Sequence, residues 1–299
     1  MEIVEFGGWK RNAKLVCNDV EMIVTLEVGP RVIYYGFTGG PNEFVVHEKD
    51  LGHTGGDDFH SYGGHRLWIA PEEHLRTLRP DNDAVEYKEE DGSHVFTSPN
   101  DEFHMQKEIR IKADTAGDRF ILDHRIYNNG AYPVELAVWA PTQCAGGSVL
   151  FPQAPFESHD GRLLPTRPIV MWGYTKIHDP RWTWGDRVVR LRHDTGLGPQ
   201  KVGTMVEQGY AACANNGHVF LKRFPVVAGG NYPDFGCNFE TFTRFDMIEI
   251  ESLGPMVTVP IGEYAEHRES WYLIRDQEIP DGDDACAGWL DGLAALRPL

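Results

Sequence analysis

The sequence predicts an all-β fold, a large antiparallel β-sandwich or barrel closed by one short C-terminal helix. Three observations point to it. Gly (32) and Pro (19) are numerous and scattered along 299 residues. Short runs of period-2 alternation lie between them. Turn dipeptides separate the runs: Gly29-Pro30, Asn129-Gly130 and Asn216-Gly217, the Asn-Gly pairs reading as hairpin turns.

The clearest strand patterns cover 20–28, 31–37, 103–111, 119–128, 134–142, 218–224, 247–253 and 270–275. In 103–111, Phe103, Met105, Ile109 and Ile111 share a face; in 119–128, Phe120, Leu122 and Ile126 do. Weaker patterns fall at 13–17, 66–70, 84–88, 93–97 and 209–214. The stretch 152–200 is the least regular and reads as long loops over a sheet. Near the C-terminus Ala287, Leu290, Leu293, Ala294 and Leu296 recur at helical spacing, with Asp283 or Asp284 as the cap. No composition break divides the strands, so residues 1–299 are expected to form a single domain.

The chain is 41% hydrophobic, enough for a large core. Its net charge of -17 argues against nucleic acid and anionic membrane, which both require a basic footprint. Five widely spaced cysteines with no C-x-x-C pair argue against a disulfide framework. The N-terminal residues lack the pattern of a signal peptide, and no apolar run approaches a membrane span. The expectation is a cytoplasmic protein with no cofactor.

Two segments carry most of the candidate chemistry. In DMIEIESLGP, residues 246–255, alternation places Met247, Glu249, Glu251 and Leu253 on one face and Ile248 and Ile250 on the other. The two carboxylates then project together about 6.7 Å apart, two residues of ~3.3 Å rise. On a solvated face they are surface acids. On a partly buried face, repulsion and burial raise one pKa and make a general acid or base. In DDFHSYGGHRLWIAPEEH, residues 57–74, His60, His65, Arg66 and Trp68 gather around a Gly-Gly step. Donors for hydroxyls beside a flat aromatic face suit a sugar ring, and a Gly-rich turn with solvated charges is the alternative. His53, Asp57, Asp58, His60 and His65 could also supply metal ligands, although no specific zinc spacing is present and no metal is assigned.

Further along, Lys222 shares a register with Phe220 and Phe224, as a gatekeeper or as a site residue. Glu240 lies between Asn238 and Phe242 in register. His124, in register with apolar neighbours, reads as a core histidine. Trp172, Tyr174, Trp182 and Trp184 either stack on a ligand or cover the sheet.

Three segments in order resemble the galactose mutarotase-like (aldose 1-epimerase) superfamily. LEVGPRVIYYGFTGGPNEF is similar to its early strand pair. SYGGHRLWIAPEE resembles the R-G-G-x-P-x-x-W-P segment of hexose-phosphate mutarotases. MIEIESLGPMVTVPIGEYAEHRESWYLI is similar to the closing block, and also to a bacterial branch with endings such as E-x-E-S-L-G-P. The resemblance implies an antiparallel supersandwich with a sugar site on its concave face. It implies a general base matching Glu251, or Glu249 if the register moves by two. The family's mid-chain histidine falls in VELAVWAPTQCAGG, where this chain has Thr142 and Gln143. The general acid would then come from His65, His60 or Lys222, with Arg66, Lys222, Glu240, Glu249 and Trp68 holding a small sugar. A noncatalytic sugar-binding or sensing protein is the alternative, and a lyase or glycoside hydrolase the third reading.

Overall fold

The computed structural model describes residues 1–299. Two antiparallel sheets, of twelve and ten strands, face each other. Between them lies a core of 42 buried residues, among them Val24, Val32, Ile109, Ile111, Phe120, Leu122, Ile126, Ile248 and Ile250. The helix Asp283–Ala295 covers the outside of the second sheet, setting Cys286, Ala287, Leu290 and Ala294 against Leu150, Ala212, Val219 and Leu221. All five cysteines are buried and free. No helix is long and apolar enough to cross a membrane.

The alternation read from the sequence sets the architecture. Arg119–Asn128 pairs with Met105–Asp114 and Tyr264–Ile274, its even-numbered residues buried in the core. His218–Arg223 pairs with Tyr210–Asn215 across Asn216-Gly217, both at positive φ as this tight turn requires. Asn129-Gly130 is not a hairpin. The strand before it belongs to the second sheet and the strand Val134–Cys144 after it to the first, so the chain changes layer there.

The stretch 152–200 is more regular than expected. It holds Ile169–Met171, Trp182–Trp184, Val188–Arg192 and the start of Gln200–Thr204. The two three-residue strands lie at sheet ends and are too short for alternation to register. The N-terminal hairpin of Glu2–Phe6 and Trp9–Cys17 also exceeds the expected 13–17. The helix is capped by Gly282, while Asp283 accepts hydrogen bonds from the backbone N–H groups of Arg187 and Val188 and so ties the helix to a strand.

The middle of the first sheet matters most for function. In order across it lie Arg31–Phe37, Gly64–Arg66, Val134–Cys144, Met247–Leu253, Phe239–Arg244 and Gln200–Thr204. Register sets Gln143 opposite Glu249, and Glu240 opposite Glu251. Because successive side chains on a strand point to opposite faces, each of these strands presents one set to the core and the other outward.

Candidate active site on the outer face of the first sheet

The outward set forms an open cleft of about 230 Å³, walled by Arg66, Trp68, Trp139, Gln143, Lys201 and Glu249, with Phe59, Tyr174 and Phe242 at its sides. That is below the roughly 300–1,000 Å³ of drug-sized ligand pockets and suits a small ligand. The Trp68 and Trp139 rings meet edge to face with centroids 5.1 Å apart. The Arg66 guanidinium stacks 3.7 Å from the Trp68 ring centre.

Glu249 is held as an acceptor at the cleft wall. Gln143 Nε2 donates to its Oε1 at 2.7 Å and Arg66 Nη2 at 3.3 Å. Arg66 keeps two buried donors, Nε and Nη1, without a partner. Burial lowers its guanidinium to about 10. Glu251 lies on the same face but deeper, wholly buried. Trp139 Nε1 donates to its Oε2 at 2.9 Å and Lys201 Nζ at 3.3 Å, while Oε1 has no partner. Glu240, also wholly buried, pairs with Lys201 at 2.7 Å. Burial pushes Glu251 up to about 7 and Glu240 up to about 8, with Lys201 opposing both rises. The two carboxylates raise Lys201 well above its ordinary value, overriding burial. Its ammonium also sits 4.7 Å from the ring centres of both Trp139 and Trp172. Lys201 is therefore a fixed positive charge rather than a proton donor.

Of the residues singled out in the sequence, Arg66, Trp68 and Glu249 line this cleft, and Glu240 and Glu251 lie beneath it. His65 and Lys222 do not belong to it: His65 points from the inner face of the first sheet into the core, and Lys222, on His218–Arg223 of the second sheet, points into the core from the facing layer. His65 Nδ1 meets Thr142 Oγ1 at 2.8 Å and His65 Nε2 meets His124 Nε2 at 2.7 Å. Lys222, wholly buried, donates to Ala140 O, Thr142 Oγ1 and Ile250 O and pairs with Glu269 at 2.9 Å. Burial lowers His65, His124 and Lys222 and takes His267 down to about 3. This is a satisfied polar network inside the sandwich, as expected for His124. His60 also turns away: Phe59 and Ser61 line the cleft, whereas His60 Nδ1 meets Asp50 Oδ1 at 3.0 Å.

The Gly-Gly step serves neighbouring strands rather than a ligand. A Cβ on Gly63 would lie 2.1 Å from Val45 O, and one on Gly64 2.1 Å from Val32 O. Lys201, Gln143 and Trp139 were not singled out as site residues. Gln143 and Trp139 are four apart on one strand, hence on one face. Lys201 follows the stretch read as loops, so no signal exposed it.

No family model matches the sequence, and no curated protein matches it. Solved structures do. A galactose mutarotase-like protein from Lactobacillus casei superposes with a TM-score of 0.57 at 10% identity, over 88% of this chain and 99% of that one. A galactose mutarotase related enzyme from Lactobacillus acidophilus gives 0.58 at 7% identity, over 89% and 98%. A TPR-domain containing protein from Parabacteroides distasonis gives 0.56 at 15% identity, over 90% of this chain and 48% of that one. At such identities the likeness speaks for architecture alone, and the fold of this chain is the galactose mutarotase-like supersandwich.

Proposed function

We propose that the chain binds a small sugar in this cleft and exchanges its anomers, as an aldose 1-epimerase does, with Glu249 as general base. The observation that carries the reading is the Glu249 carboxylate at the cleft wall, oriented by Gln143 and Arg66 beside two indole rings. An apolar ring face suits the C–H side of a pyranose, and the carboxylate accepts the anomeric hydroxyl proton. Tyr174 lines the same cleft, and burial raises its phenol to about 12, so it keeps its proton at neutral pH. Tyr174 then gives its phenol proton to the ring oxygen as the C1–O bond breaks, and takes it back when the ring closes on the other face. Glu251, wholly buried behind Trp139 and Lys201, supports the wall electrostatically rather than touching the sugar.

The test is NMR exchange between α and β anomers across a panel of aldoses. Exchange that survives Glu249→Gln undiminished removes Glu249 from the mechanism. A second reading, sugar binding without turnover, is favoured by one observation: no histidine lines the cleft. It predicts sugar-dependent thermal stabilisation with no anomer exchange above the uncatalysed rate.

A further inference from the structure

Behind the cleft wall, the loop from Asp50 to His60 carries ligating side chains that the cleft does not use. Asp50 is buried, His60 half-buried and His53 exposed, and their ligand atoms all lie within 4.8 Å of one another. The loop is held in shape from outside. The side-chain Nδ2 of Asn82, itself buried, donates to Gly56 O at 3.0 Å and Asp58 O at 2.8 Å, and Asn82 O accepts from Gly55 N. Trp9 Nε1 donates to His53 O at 3.0 Å. The Asp50 carboxylate is aimed by the Tyr62 N–H, 3.4 Å from Oδ2, and by His60 Nδ1, 3.0 Å from Oδ1.

We propose that Asp50, His53 and His60 bind a divalent transition-metal ion, with zinc the best match. Two imidazoles and one carboxylate are a borderline-soft nitrogen and oxygen set, which suits zinc and its first-row neighbours better than calcium or magnesium. Around a tetrahedral ion with ligands at ~2.0–2.1 Å, ligand atoms lie about 3.3 Å apart. The Asp50–His60 pair at 3.0 Å is already close to that spacing, so only the exposed His53 ring has to swing. The other cluster of this kind, His65 with His124 and Glu269, is a poorer host. Lys222 already supplies its cation, 2.9 Å from Glu269, and all four groups are wholly buried. Because Phe59 and Ser61 flank His60 and line the cleft, a bound ion would stiffen that wall.

The test uses the full chain, stripped with chelator and titrated with zinc chloride against a fluorescent zinc indicator. The expected result is one equivalent of zinc bound. His53→Ala and His60→Ala should each weaken it by more than the 10–100-fold typical of losing an outer-shell partner. His159→Ala, an exposed histidine elsewhere, should leave it unchanged. His53 is exposed, so its variant should fold, and circular dichroism checks that it does. Cobalt substitution should give visible d–d bands that His53→Ala abolishes. No stoichiometric zinc, or zinc retained at full affinity in both loop variants, overturns the proposal.

Discussion

Glu240→Gln has an effect that can be worked through from the site geometry. Lys201 is the one ammonium against two buried carboxylates, 2.7 Å from Glu240 and 3.3 Å from Glu251. One positive charge neutralises one carboxylate, so near neutral pH the pair retains a proton and titrates as a unit. Burial is the main cause, taking Glu240 to about 8 against an ordinary value of 4.5. A carboxyl raised in the folded state binds a proton there that the unfolded chain has released. Stability therefore falls as pH rises from about 4.5 to about 8. Each such proton corresponds to ~1.4 kcal/mol per pH unit. Across that window of about 3.5 units the retained proton accounts for at most ~5 kcal/mol. Glutamine removes that titration and leaves Lys201 to Glu251 alone, which then moves back toward an ordinary carboxylate. Urea unfolding followed by tryptophan fluorescence at pH 5, 6, 7 and 8 checks this. Wild type and variant should lie within ~1 kcal/mol at pH 5. Wild type should then lose several kcal/mol more than the variant by pH 8. Parallel stability curves, or a steeper fall in the variant, would refute the shared-proton account.

Glu249→Gln should lower anomer exchange at least ~100-fold, the smaller end of general-base effects, while the fold is kept, as measured by NMR and circular dichroism. Lys222→Met should lose about 3–5 kcal/mol in urea unfolding, because Glu269 stays buried without its ammonium. Gly64→Ala should cost at least ~3 kcal/mol, since φ is +69° and the new methyl meets Val32 O at 2.1 Å; a loss below ~1 kcal/mol by the same assay would contradict that contact.

Much of the sandwich was legible in the sequence because its central strands alternate cleanly. Met247–Leu253 shows this best: Glu249 and Glu251 share the outer face and Ile248 and Ile250 the core, as the spacing predicts. The site was legible only in part. His65 and Arg66 are consecutive on a strand and must point apart, so they could not both reach one sugar. That parity was available in the sequence, and the cluster of polar residues masked it. Lys222 shares its register with Phe220, and the shared face is the core. A buried lysine there is tolerated because Glu269 and three oxygen acceptors surround it, and those partners come from strands far away in the chain. Lys201 was out of reach for the same reason: its meaning depends on Glu240 and Glu251, 39 and 50 positions further on.

The middle of the first sheet is a party wall between two polar rooms. Thr142 serves the inner one and Gln143 the outer, as do His65 and Arg66. Neither room can be rebuilt alone, since a one-residue slip in either strand would exchange their occupants. Small changes of size behind the wall, at Thr142 or His124, would instead tilt the backbone on which Gln143 and Arg66 are mounted. Selectivity of the cleft should then be adjustable from residues no ligand ever meets, and libraries built only from cleft-lining positions would miss that means of control.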